Sequence, residues 1–197
     1  MNKASLKIKV IVGSTRQSRF SEKPAGWVLE ELKKREGIEA ELLDLRDFPM
    51  PFFDEAVSPA MKQGPYQNEV VKKWTGKIAE ADGFIIVTPE YNHGYPAVLK
   101  NALDYVYAEW NRKAVGFVSY GSVSGARSVE QLRQVSIELQ MAPIRSAIHL
   151  PADKWMQVLM GKMPADELFA SSKEHLDRFF DDLIWWIDAL KTAREKK

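Results

Sequence analysis

The chain contains no cysteine. That absence excludes disulfides, thiol nucleophiles and any iron–sulfur or Cys-ligated zinc site, and it fits a reducing compartment. Histidine is scarce, with three in the whole chain. His149 and His175 are too isolated to form a metal site, and His93 reads as an exposed loop residue. No Ser–His–acid or two-carboxylate set can be selected by spacing. Net charge is also nearly absent: 28 Lys and Arg stand against 27 Asp and Glu, a formal charge of +1. That balance gives no electrostatic footprint for nucleic acid and no polybasic patch for an anionic membrane. No stretch reaches the ~18 apolar residues of a membrane span. The apolar run at Val10 to Val12, behind Lys3, Lys7 and Lys9, is too short for a signal peptide. The default expectation is a soluble cytoplasmic protein.

What is present points to one domain. The 197 residues are 45% hydrophobic, enough to bury a real core. Ile8, Val10, Ile11 and Val12 form a β-branched run ending at Gly13, the pattern of a central strand covered on both faces. Ser21 is positioned to cap a following helix, with Ala25, Val28, Leu29 and Leu32 inward and Gly37 just past its end. Residues 40–45 read as a second strand. Residues 48–65 hold Pro49, Pro51, Pro59 and Pro65 and read as a long loop. A helical stripe at Val70, Val71, Trp74, Ile78 and Ala81 precedes an apolar strand at 84–87. Pro96 opens a helix with Leu99, Ala102, Leu103 and Val106 inward. A fourth strand at 114–118 precedes a helix marked by Val129, Leu132, Ser136 and Ile137. A weaker fifth strand spans 144–150. Strands alternating with helices predict a parallel sheet with helices on both faces, and five of them suit the doubly wound order 2-1-3-4-5. A last helix over 172–194 carries the stripe Leu176, Phe179, Phe180, Leu183, Ile187 and Leu190, widened by Trp185 and Trp186. Residues 154–170 give no clear pattern.

In such a fold ligands bind beyond the carboxyl ends of the strands, and three unusual segments fall there. Gly13 to Ser21 leaves a strand and enters a helix, offering the hydroxyls of Ser14, Thr15, Ser18 and Ser21 and the cations of Arg16 and Arg19. Amides at a helix start attract an anion, so this reads as a phosphate cradle. It matches neither G-x-G-x-x-G nor a Walker A loop, which disfavours dinucleotide and nucleoside-triphosphate versions. Thr88 to Pro96 follows the third strand. There Tyr91 can lie against a planar ring, Asn92 can donate and accept, and Glu90 can accept a ring N–H. The plainer role for Glu90 is a salt bridge or subunit contact. Ser119 to Arg127 follows the fourth strand. Gly121 and Gly125 there allow close backbone approach, and Arg127 has a structural ion pair as its plain role.

Together the segments resemble the NADPH-dependent FMN reductase family of flavodoxin-like proteins, which includes FMN, azo, quinone and chromate reductases. The matching pieces are G-S-T-R with R-F-S, P-E-Y-N with P-A-V-L-K-N-A-L-D-Y, and Y-G-S-V-S-G-A-R with L-R. The resemblance covers about residues 6–151, leaving a C-terminal helical extension over about 152–197 of a single flavodoxin-like domain. It implies FMN as cofactor and NADPH or NADH as co-substrate. Ser14, Arg16, Arg19, Phe20 and Ser21 fall at the phosphate end. Pro89, Glu90, Tyr91 and Asn92 fall along the isoalloxazine and ribityl chain, and Tyr120, Gly121, Ser124 and Gly125 fall at the ring's other edge. No protein residue is expected as a catalytic group, because the hydride passes through flavin N5. A small electron acceptor and a homodimer or homotetramer are expected as partners. The alternatives on this scaffold are a flavodoxin-type electron carrier and a flavin-binding regulatory protein.

Overall fold

The structure is a computed structural model that describes residues 5–62 and 65–196. Residues 63 and 64 of the predicted Pro-rich loop, and the chain ends at 1–4 and 197, lie outside the described residues. Five strands form the core: β1 (Leu6–Val12), β2 (Ile38–Asp44), β3 (Gly83–Pro89), β4 (Ala114–Tyr120) and β5 (Ala142–His149). They pair in parallel in the order 2-1-3-4-5, as the alternation predicts. The helices are α1 (Glu22–Lys33), α2 (Glu69–Ala79), α3 (Ala97–Asp104), α4 (Ala126–Glu138), α5 (Ala152–Leu159), α6 (Ala165–Ala170) and α7 (Lys173–Glu195).

The continuous apolar runs are explained by two cores. Successive strand residues face opposite sides. Ile8, Val10, Val12, Ile85, Val87 and Val118 meet Val28, Leu32, Phe179 and Leu183 on one face. Ile11, Phe84, Ile86, Val115 and Phe117 meet Trp74, Leu99, Trp110 and Leu132 on the other. β3 and β4 are buried along their whole length. The chain runs from β1 outward to β2, then crosses back to β3 on the other side. That reversal opens a crevice at the carboxyl ends of β1 and β3, where a doubly wound sheet receives ligands.

Several local expectations are corrected. Ser21 stands at the N-cap of α1 but makes no capping bond with its side chain; its hydroxyl pairs with Tyr120 instead. Asn68 does cap α2, accepting from the amides of Val70 and Val71. Gly37 does not close α1, whose C-cap is Lys34. It sits later with φ +73°, and its carbonyl accepts from Leu6 as β1 begins. Ile137 points into solvent. The stripe of α7 is buried at Leu176, Phe179, Phe180, Leu183 and Ile187, but Trp185 and Trp186 are exposed and do not widen it. The segment without a clear pattern holds α5 and α6.

Candidate functional site

The first strand-end loop is braced from behind. Gly13 donates to Val87 O at 2.9 Å, and a Cβ there would sit 3.0 Å from Leu99 Cδ2. A side chain at this position would press on Leu99 and on the Val87 carbonyl, at 3.0 and 3.1 Å, where β1 leaves the sheet beside β3. The buried Arg19 donates to the carbonyl of Ser14 and to both oxygens of Asp44, one at 2.8 Å. Its Nε donates to Glu22 at 3.0 Å. Burial raises the Asp44 pKa, but hydrogen bonds from Arg19 and the Arg46 amide outweigh it and hold the carboxyl below its ordinary range. Arg46 donates to the carbonyl of Arg16 at 2.6 Å and to that of Thr15 at 3.4 Å. The described peptides are trans, so each N–H points opposite the carbonyl before it. With the carbonyls of Ser14 and Arg16 drawn back onto arginines, the amides of Thr15 and Gln17 face the other way. Arg16 itself is exposed, its guanidinium 5.7 Å from the Tyr91 ring centre. Among the described residues it has no acidic partner.

The second loop is a tight hairpin. Tyr91 and Gly94 exchange backbone bonds of 2.8 and 3.0 Å, and Asn92 and His93 between them have φ of +49° and +69°. Two central residues at positive φ are the signature of a type I′ turn. Asn92 is therefore at an exposed tip and does not line the crevice. The Tyr91 hydroxyl shares a 2.8 Å hydrogen bond with Ser14 Oγ, tying the first loop to the second. Glu90 has a side chain only 4% exposed. Its carboxylate accepts from Arg127, 2.7 Å from the guanidinium and 3.3 Å from the amide. The plain reading of Arg127 as an ion-pair partner is what the structure contains.

The third loop folds against the second. A Cβ on Gly121 would lie 2.8 Å from Glu90 Cβ, and one on Gly125, at φ +77°, would lie 2.6 Å from Ser119 Cβ. Both glycines thus let the chain approach itself, where the sequence suggested approach to a ligand. Ser124, at φ +57°, accepts from Ser119 Oγ through its carbonyl at 2.8 Å, and Ser119 Oγ also pairs with His149 Nδ1 at 2.8 Å. Ser124 and Gly125 shape the loop without lining the crevice. Tyr120 is buried, and its hydroxyl meets Ser21 Oγ at 2.7 Å. Burial pushes its pKa up to about 12, so it stays protonated and able to donate.

These loops enclose a cleft of about 330 Å³. Arg16 and Phe20 form one wall, Pro89 to Tyr91 a second, and Tyr120 to Ser122 a third. Ser14, Ser21 and Arg19 stand behind those walls as braces. Trp155 and Met156 of α5 complete the lining, and sequence reasoning missed them along with Ser122. The Trp155 indole donates to Gly121 O at 3.1 Å, and its ring centre lies 5.3 Å from Tyr120 and 5.6 Å from Phe20. The available signal was position: α5 follows β5, so its start belongs with the other strand ends.

A doubly wound parallel sheet with an aromatic cleft at its switch point and an exposed arginine, Arg16, at the rim defines a flavodoxin-like ligand-binding protein. The chain belongs to the NADPH-dependent FMN reductase family, which it matches over residues 6–154; by class it is an FMN-dependent oxidoreductase. It is 45% identical over 157 residues to an NAD(P)H-dependent FMN reductase of Schizosaccharomyces pombe, covering 79% of this chain and 78% of that one. It is 28% identical over 193 residues to a 2-hydroxy-1,4-benzoquinone reductase of a Burkholderia species, covering 93% and 97%. Among solved structures it shares its fold with FerB, an NAD(P)H:(acceptor) oxidoreductase of Paracoccus denitrificans. The TM-score is 0.69 at 22% identity, covering 93% of this chain and 98% of that one.

Proposed function

We propose that the cleft seats FMN and that the protein passes reducing equivalents from NADPH or NADH to a small acceptor. Bound FMN would supply the hydride chemistry at its N5, relaying to a quinone, azo compound, free flavin or metal oxyanion. The chain's own residues bind and orient. The amides of Thr15 and Gln17 with the Arg16 guanidinium hold the phosphate. Pro89, Tyr91 and Tyr120 with Phe20 flank the ring. Arg19 and Arg46 keep the carbonyls of the first loop turned away, so that its amides are pre-organised for an anion. The Glu90–Arg127 pair fixes the second loop against the third, and the Ser119–Ser124 bond holds the third loop's own shape. The observation that carries this reading is Arg16: a cation on the cleft wall with no acidic partner among the described residues, on a loop whose carbonyls are drawn back.

The reading extends to a homodimer or homotetramer acting in the cytoplasm. The exposed Trp185 and Trp186 support self-association, and the absence of cysteine suits a reducing compartment. The test of function is kinetic. FMN-loaded protein is expected to oxidise NAD(P)H without oxygen, and double-reciprocal plots at several quinone concentrations are expected to be parallel. A loaded sample that leaves NAD(P)H untouched contradicts the reductase reading.

A further inference from the structure

Three walls of the cleft, built by the strand-end loops, differ in kind from the fourth, built by α5. The polar loops that fit a phosphate and a flavin ring lie within residues 6–154, where the family match runs. Trp155 and Met156 follow immediately after it and close the cleft from α5. Their chemistry is uniformly apolar. The one donor among them, Trp155 Nε1, is spent on Gly121 O. Their placement also differs. Tyr120 and Phe20, which the Trp155 ring covers, are deep in the fold, whereas Met156 is 41% exposed at the mouth. Met156 shares the exposed rim with Ser122 and with Arg16, which the reading above commits to the phosphate.

We propose that Trp155 and Met156 are specificity-determining residues for the electron acceptor, selecting flat, uncharged aromatic acceptors against anionic ones. The inference rests on the flavin reading above and names the acceptor class for that same site. A thioether beside an indole makes a polarisable, unhydrated wall suited to stacking or edge contact with a planar ring. An anionic group seated there loses its water and gains no donor in return. The wall has no polar group to offer a phosphate or a ribityl chain, so it serves the acceptor's entry and not the cofactor's anchoring.

The experiment puts a charge at the mouth. Met156→Glu and Met156→Lys are compared with wild type, using a neutral naphthoquinone and its sulfonate as acceptors. Binding of the redox-inert pair 2-naphthol and naphthalene-2-sulfonate to FMN-loaded protein is followed by calorimetry. Wild type is expected to prefer the neutral member of each pair. Met156→Lys is expected to shift the ratio of kcat/KM, and of affinity, toward the sulfonate by about fivefold, and Met156→Glu to shift it the other way by a similar factor. That is the effect of one charge about 4 Å away in a solvated site. FMN affinity of each variant is measured alongside, and the acceptor ratios are compared on fully loaded protein. Unchanged acceptor ratios in both variants overturn the proposal, as does a loss of FMN affinity that parallels the loss of acceptor use. Wild-type protein that takes up no FMN overturns the flavin reading beneath it, a result distinct from either of those.

Discussion

Arg16 and Arg19 lie three residues apart and act on opposite sides of one loop. Arg19 is 5% exposed and fully engaged with Ser14 O, Asp44 and Glu22; Arg16 is exposed, and its guanidinium lies over the Tyr91 ring with no acidic partner among the described residues. The sequence offers both as phosphate ligands, because both follow a Gly-Ser turn. The structure separates them through Asp44, a residue at the end of β2 that no local pattern links to the loop. Arg16→Ala is therefore expected to weaken FMN by about ten- to hundredfold, from the loss of one charge-assisted hydrogen bond. Riboflavin, which lacks the phosphate, is expected to lose little. Equal loss for both ligands in fluorescence titrations contradicts the assignment. For the brace, Asp44→Asn is expected to cost about 2–3 kcal/mol at neutral pH, less than a fully isolated buried pair because Glu22 still faces Arg19. The carboxyl's folded pKa lies below its unfolded value. Its contribution is thus complete above about pH 5 and is lost as pH falls through the folded pKa. Urea denaturation across that range is expected to show the gap between wild type and Asp44→Asn closing on acidification. A gap that widens contradicts the brace.

At the scale of elements, much was legible because periodicity reports burial directly. The run of β1 reads as a central strand and is one, and the apolar run of β3 lies beside it. The stripe at Leu176, Phe179, Phe180, Leu183 and Ile187 reads as a buried face and is one. α7 lies on the sheet where β4 offers Gly116. A Cβ there would come within 2.5 Å of the Phe179 ring, so the ring occupies the space a side chain would take. Phe179→Ala is expected to cost about 3–5 kcal/mol, the range for emptying a buried aromatic site, measured as a fall in urea midpoint with unchanged slope. A loss under 1 kcal/mol would mean that α7 is an appendage. The elements that resisted reading did so for physical reasons. α5 is short, with two large apolar residues exposed, Met156 and Leu159, and a third, Met160, at its C-cap, so no clean stripe marks it. The three strand-end loops were found from their composition. The division of labour within them depends on contacts such as Ser14 with Tyr91, Ser21 with Tyr120 and Glu90 with Arg127. Those pairs join segments far apart in sequence, and spacing carries no trace of them.

At the scale of the whole molecule, the protein is a frame that holds three loops at one edge of a sheet. Near-neutral charge leaves recognition to the cleft itself, and each loop is tied to its neighbour by a bond across it. The frame's purpose in this account is a pre-formed FMN site, so binding is expected without reorganisation of the fold. Equilibrium dialysis of the purified full chain against FMN at near-physiological salt tests that directly. The account predicts saturable uptake of about one FMN per chain, with the Arg16→Ala variant displaced to higher concentration and FAD bound more weakly. No saturable uptake of FMN by folded wild-type protein contradicts it.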